Sequence, residues 1–120
     1  MIGTITAETT ILIPYRYRAS AGAFIEAVHR AQTASSDAKR RQHVSVARVW
    51  YDMLAENLRA LKHDAAETRA WINDHAEHPL VPRMREHLGC ISGDANLLDR
   101  ALTDLLLALS ATCDEADACN

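Results

Sequence analysis

Cysteine is scarce in this 120-residue chain, with only Cys90, Cys113 and Cys119. Any pairing leaves one over and no C-x-x-C is present, so free thiols in a reducing compartment are expected. The four glycines are scattered, which removes any glycine-rich loop that could cradle a phosphate. The longest apolar run, Leu105 to Leu109, is far too short to cross a bilayer. No Gly-x-Ser-x-Gly and no His-Glu-x-x-His occurs, so the common nucleophile and zinc-hydrolase signatures are missing. The N-terminus shows neither the basic segment nor the apolar core of a secretory signal, and the expected location is cytoplasmic.

What the chain does have is helical periodicity. Within Ser45–His63 the apolar residues Val46, Val49, Trp50, Met53, Leu54, Leu58 and Leu61 recur at spacings of three and four, with Arg48, Asp52, Glu56, Arg59 and Lys62 opposite. That is a broad apolar face of one helix. No Gly or Pro interrupts Ala38 to Glu77. A single helix over that range would be roughly 60 Å long, at ~1.5 Å per residue. A compact domain of this length is nearer ~35 Å across. The helix therefore either breaks, with Asp64-Ala-Ala-Glu67 as a capping box, or projects and needs cover for its stripe.

The rest of the chain supplies partners for this helix. Ser20 is a candidate N-cap for a first helix to about Ala34, with Ala21, Phe24, Ile25, Val28 and Ala31 on its apolar face. Thr33 to Asp37 reads as a polar connection carrying the next cap. Prolines at 79 and 82 mark a turn, and a short helix from about Pro82 to Leu88 is expected to stop at Gly89. Ser92 would cap a last helix, whose Leu105, Leu106, Leu107 and Leu109 suggest burial all round. The expected fold is all-α, a bundle of four or five helices with an extended N-terminal arm. Residues 1–18 form the arm, 19–113 the helical domain and 114–120 a flexible acidic tail. Ser45–His63 and Asp94–Cys113 are expected to pack on each other, with Phe24, Ile25 and Val28 closing the core.

Residues 1–18 are rich in β-branched side chains, and Thr9 to Ile13 reads as a short strand ended by Pro14. A strand without a partner strand invites strand addition to another chain. On an extended backbone Tyr15 and Tyr17 would share one face, and Arg16 and Arg18 the other. Tyr and Arg are favoured at binding hot spots. The candidate partner-binding residues are accordingly Ile11, Ile13, Tyr15, Arg16, Tyr17 and Arg18.

The net charge of −3 hides an asymmetry. Up to Lys62 there are nine Lys/Arg and five Asp/Glu; beyond it there are four and eleven. Such opposed halves can attract each other within the fold, or present two faces to partners. The expected function is a small non-enzymatic protein-binding module, an adaptor or an inhibitor that acts by occupying its partner. A likeness of general character extends to small accessory proteins of mobile elements. Another protein is the expected partner, a homodimer included, with no cofactor, no bound metal, no membrane and no nucleic acid.

Two other readings compete. Six histidines are present, and Glu26-x-x-His29 has the i, i+3 spacing found in carboxylate-bridged di-iron bundles, while His63-x-x-x-Glu67 resembles a fragment of the hemerythrin pattern. A di-iron bundle needs the Glu-x-x-His motif twice, and one copy is present. A metal-binding enzyme would draw on Glu26, His29, His63 and Glu67. A nucleic-acid-binding regulator would draw on Arg16, Arg18, Lys39, Arg40, Arg41 and Arg48, against an acidic second half that repels a phosphate backbone.

Overall fold

The computed structural model of the chain describes residues 13–118. All regular structure among them is helical. A 3₁₀ turn at Tyr15–Tyr17 leads directly into α1 (Arg18–Gln32), followed by α2 (Asp37–Asp74) and α3 (Val81–Ala118). Ile11 and most of the strand expected at Thr9–Ile13 lie outside the described residues. The described part of the expected arm is not extended, since the chain is already turning at Tyr15 and helical at Arg18. Ser20 accordingly sits inside α1, and no side chain caps that helix.

The connection between α1 and α2 follows the sequence closely. The Ser36 side chain accepts a hydrogen bond from the Lys39 backbone N–H at 3.2 Å, the geometry of an N-cap. Arg40 closes the same junction from the other side. Its Nε donates to the Ala31 carbonyl at 3.2 Å, and its Nη1 reaches Asp37 at 3.3 Å. A basic residue in the first turn of α2 thus supports the C-terminal end of α1, where a cation suits the exposed carbonyls.

α2 and α3 are 38 residues each and form an antiparallel hairpin through the turn at residues 75–80. Arg48 contacts Cys113 near one end, and Asp64 contacts His87 toward the other. The expected pairing of Ser45–His63 with Asp94–Cys113 is therefore present. α1 runs antiparallel to α2 and covers it from about Arg40, which meets Ala31, to Asp64, which lines a groove with Arg16 and Ser20. The result is elongated, 62 × 23 × 20 Å with a radius of gyration of 18.1 Å. A compact chain of this length would have about 14 Å.

The expected break at Gly89–Ser92 is absent and the open choice at Asp64 resolves to a continuous helix, so the described chain has three helices where four or five were expected. At Asp64 the capping-box reading fails because the carboxylate is engaged sideways. Asp64 Oδ2 lies 3.5 Å from His87 Nε2 on α3, while Ala65 and Thr68 are buried one turn on. At Gly89 and Ser92 the helix runs straight through. Gly89 and Gly93 point to open space, whereas Ile91, Ala95 and Leu98 continue one buried stripe. A mid-helix glycine costs about 1 kcal/mol, but burying Ile91 and Leu98 returns roughly 1.5–3 kcal/mol each. Packing wins. The helix also extends past residue 114, where an acidic tail was expected, as far as Ala118.

The core is built from Phe24 and Val28 of α1, Leu54, Leu58 and Leu61 of α2, and Leu98, Leu102, Leu105 and Leu109 of α3. Ala21, Ala27, Ala31, Ala47 and Ala101 are buried between these larger side chains and let the helices approach. Ile25 only packs against the edge of this cluster. α3 is not buried all round, because Leu106 and Leu107 are about half exposed while Leu105 and Leu109 are inside.

Candidate protein-binding face

The broad apolar face of α2 is wider than its two neighbours can cover. Leu54, Leu58 and Leu61 point between α1 and α3 and are buried. Tyr51 and Ala55 lean toward α3, where Tyr51 lines a groove with Leu106, Leu109 and Cys113. Burial, followed by the charges of Asp52 and Asp99, holds the Tyr51 hydroxyl above its ordinary pKa of 10.0. On the α1 side the cover is incomplete. Val46 is 44 % exposed, Val49 59 % and Met53 47 %.

These three residues do not stand alone. Trp50 lies beside them, half-buried, and packs against the core edge. A groove of about 300 Å³ between α1 and α2 is floored by Ala23, Ala27, Val46 and Trp50 and flanked by Glu26, Arg30, Gln42 and His43. A second groove of about 470 Å³ between the same helices holds Arg16, Ser20, Asn57, Ala60 and Asp64. Positions 42, 46, 49, 53, 57, 60 and 64 follow helix spacing, so the two grooves and the stripe lie along one side of α2. Charged groups border the stripe on the α1 side, as Glu26–Arg30, paired at 2.6 Å, beside Val46 and Trp50, and as Arg16 with Asp64 in the second groove. An apolar middle with a polar rim is the usual anatomy of a protein interface.

The N-terminal candidate residues divide in two. Ile13 and Tyr17 are buried members of the core, at 1 % and 8 % exposure, which ties the chain entry to α1. Tyr15, Arg16 and Arg18 are at the surface, Tyr15 being 83 % exposed. The expected sharing of faces does not occur, because a 3₁₀ turn does not alternate as a strand does. The guanidinium of Arg18 instead lies 5.6 Å from the Tyr15 ring centre while its Nε donates to the Ile13 carbonyl at 3.0 Å. Among the described candidates, Arg16 and the buried Tyr17 line the second α1–α2 groove.

Of the groups named for metal chemistry, Glu26, His63 and Glu67 are engaged in local pairs, and His29 is exposed on α1. Glu26 meets Arg30, and His63 Nε2 lies 3.1 Å from Glu67 Oε1 within the same helix. Among the described residues no three His, Cys, Asp or Glu side chains converge. The turn between α2 and α3 gathers rings instead. Trp71 stacks on His75 with centroids 4.4 Å apart, and His78 approaches edge-on at 5.2 Å. His78 Nδ1 accepts the Leu80 backbone N–H at 3.1 Å, which organises the turn. Of the basic residues named for nucleic acid, Arg48 lies on α2 against Cys113 and the other five are divided between the two ends of α1. Arg16 and Arg18 stand at its start and Lys39 to Arg41 follow its end, roughly 22 Å away at ~1.5 Å per residue.

Sequence reasoning included Val46, Val49 and Met53 in the helix face without separating the positions that stay exposed from those that are buried. The available signal was its width, because a helix with two neighbours buries a narrower arc than seven apolar positions from Val46 to Leu61 describe. Among the described residues no helix is long and apolar enough to cross a membrane. The chain matches no protein-family model, no curated protein and no solved structure.

Proposed function

We propose that this chain is a small cytoplasmic protein-binding module, an adaptor or inhibitor without catalysis of its own, and that it engages its partner through the α1–α2 face. The observation that carries this reading is the uncovered stripe of Val46, Val49 and Met53 beside the buried face of α2. Single exposed apolar side chains are ordinary on a protein surface, whereas a contiguous row flanked by polar grooves marks interaction sites. The rigid hairpin supports the reading as well, since α2 presents the row on an unbroken helix and little order has to be gained on binding. Arg16 supplies a charged anchor at one end, and Tyr15 and Arg18 extend the surface toward the N-terminus.

The test is affinity capture with the immobilised full chain, comparing wild type with Val49→Glu and Arg16→Glu. The expected result is a stoichiometric partner protein lost with Val49→Glu and weakened with Arg16→Glu. Equal capture by all three would place the binding surface elsewhere and overturn the assignment.

A further inference from the structure

We propose that the turn between α2 and α3 is a proton-operated clasp, in which His78 holds the entry of α3 closed only while its ring is uncharged. Mild acid then opens the tip of the hairpin and leaves the three-helix part intact. This device is separate from the α1–α2 face. The hydrogen bonds fix where each ring carries its proton. A carbonyl only accepts, so His75 Nδ1, 2.9 Å from the Trp71 oxygen, carries a hydrogen. A backbone N–H only donates, so His78 Nδ1, 3.1 Å from the Leu80 nitrogen, carries none. A second proton on His75 goes to Nε2 and leaves its bond intact. A second proton on His78 sets one N–H against another and removes the acceptor.

The two helix ends act in the same sense. His75 caps the C-terminal end of α2, where exposed carbonyls suit a cation, and its ring lies flat on Trp71, whose face also suits one. His78 stands before the first turn of α3, where unpaired N–H groups oppose a cation and no acidic residue offsets them. Pro79 has no N–H, so Leu80 supplies the first backbone donor beyond His78. The His78 backbone ties the same reversal, donating to the His75 carbonyl at 2.8 Å and accepting from Val81 at 3.0 Å. The charged groups adjoining the two rings are Asp74 of α2, Glu77 of the turn and Arg83 of α3. None of them is ion-paired with either ring. Among the described residues the histidines that meet a carboxylate are His63, with Glu67, and His87, with Asp64. Two charged rings 6.3 Å apart would repel each other. Cover by α1 ends near Asp64, so the tip opens without breaking the three-helix core.

Proton–nitrogen NMR of the full chain, taken from about pH 8 to about pH 5 where histidine ordinarily changes charge, tests this. At the upper limit the ring hydrogen should sit on Nδ1 of His75 and on Nε2 of His78. On acidification the Leu80 amide proton should move upfield as its acceptor is lost, while the amides of the core residues Leu54 and Leu105 hold their positions. His78→Asn keeps an acceptor oxygen near the place of Nδ1 and takes up no proton, so its Leu80 amide should stay fixed throughout. His75→Phe keeps a ring on Trp71 and should leave the wild-type Leu80 response in place. A wild-type Leu80 amide indifferent to pH overturns the proposal, as does a hydrogen on Nδ1 of His78 at the upper limit. A response that survives His78→Asn, vanishes with His75→Phe, or is matched by Leu54 and Leu105 overturns it as well.

Discussion

Phe24 shows how one side chain holds three helices together. It is fully buried, and its ring lies 6.3 Å from that of Tyr51, which in turn faces α3. Phe24→Ala is expected to cost about 3–5 kcal/mol, read as a lower midpoint in urea unfolding. Tyr51 gives the fold an alkaline limit. Its folded pKa is raised above 10.0, so the folded state holds this proton more tightly than the unfolded chain does. The stability it contributes is fully present below about pH 10 and is lost as pH rises through the raised folded value. Tyr51→Phe should therefore flatten the fall in thermal midpoint above pH 10 relative to wild type. At this scale Phe24 and Val28 were legible from spacing alone. Tyr15, Arg16, Tyr17 and Arg18 were not, because their alternation has meaning only on an extended backbone, and Tyr17 turns inward once the chain enters a 3₁₀ turn.

Helix existence could be read from the sequence, whereas helix length could not. Ser36 capping α2 and the pairing of α2 with α3 follow from local rules. Gly89, Ser92 and Asp64 obey the same local rules for stopping or starting a helix, and are overridden by a buried stripe that continues past each of them. This override leaves a measurable trace. Gly89 and Gly93 sit in helix with open space where a Cβ would go. Gly89→Ala and Gly93→Ala are each expected to stabilise the chain by up to about 1 kcal/mol, measured by thermal unfolding. A helix end at Gly89 would reverse the sign. Removing the Ser36 hydroxyl with Ser36→Ala should cost about 1 kcal/mol in the same assay.

In the whole molecule, α1 and its entry turn cover α2 only from about Arg40 to Asp64, leaving the far end of the 62 Å rod without a third helix. The three-helix part has a shared core from α1, α2 and α3, while the part beyond Asp64 rests on one helix pair and ends in the Trp71–His75–His78 stack. Local opening follows packing, so amide hydrogen exchange is expected to be faster in 66–90 than in 47–61. The same incomplete cover leaves the α2 stripe exposed. Composition and periodicity specify the helical class, but which apolar residues remain outside depends on how many helices assemble around α2. That number rested on breaks that packing removes.

The central claim is that this uncovered stripe, and not exposed apolar surface in general, binds protein. Leu107 offers a matched control, being 54 % exposed on α3 against 59 % for Val49. The most direct measurement is the stoichiometry of protein bound to the immobilised full chain, a second copy included, for Val49→Glu beside Leu107→Glu. The account predicts that Val49→Glu loses the bound protein and Leu107→Glu keeps it. Equal retention or equal loss by the two variants would contradict it.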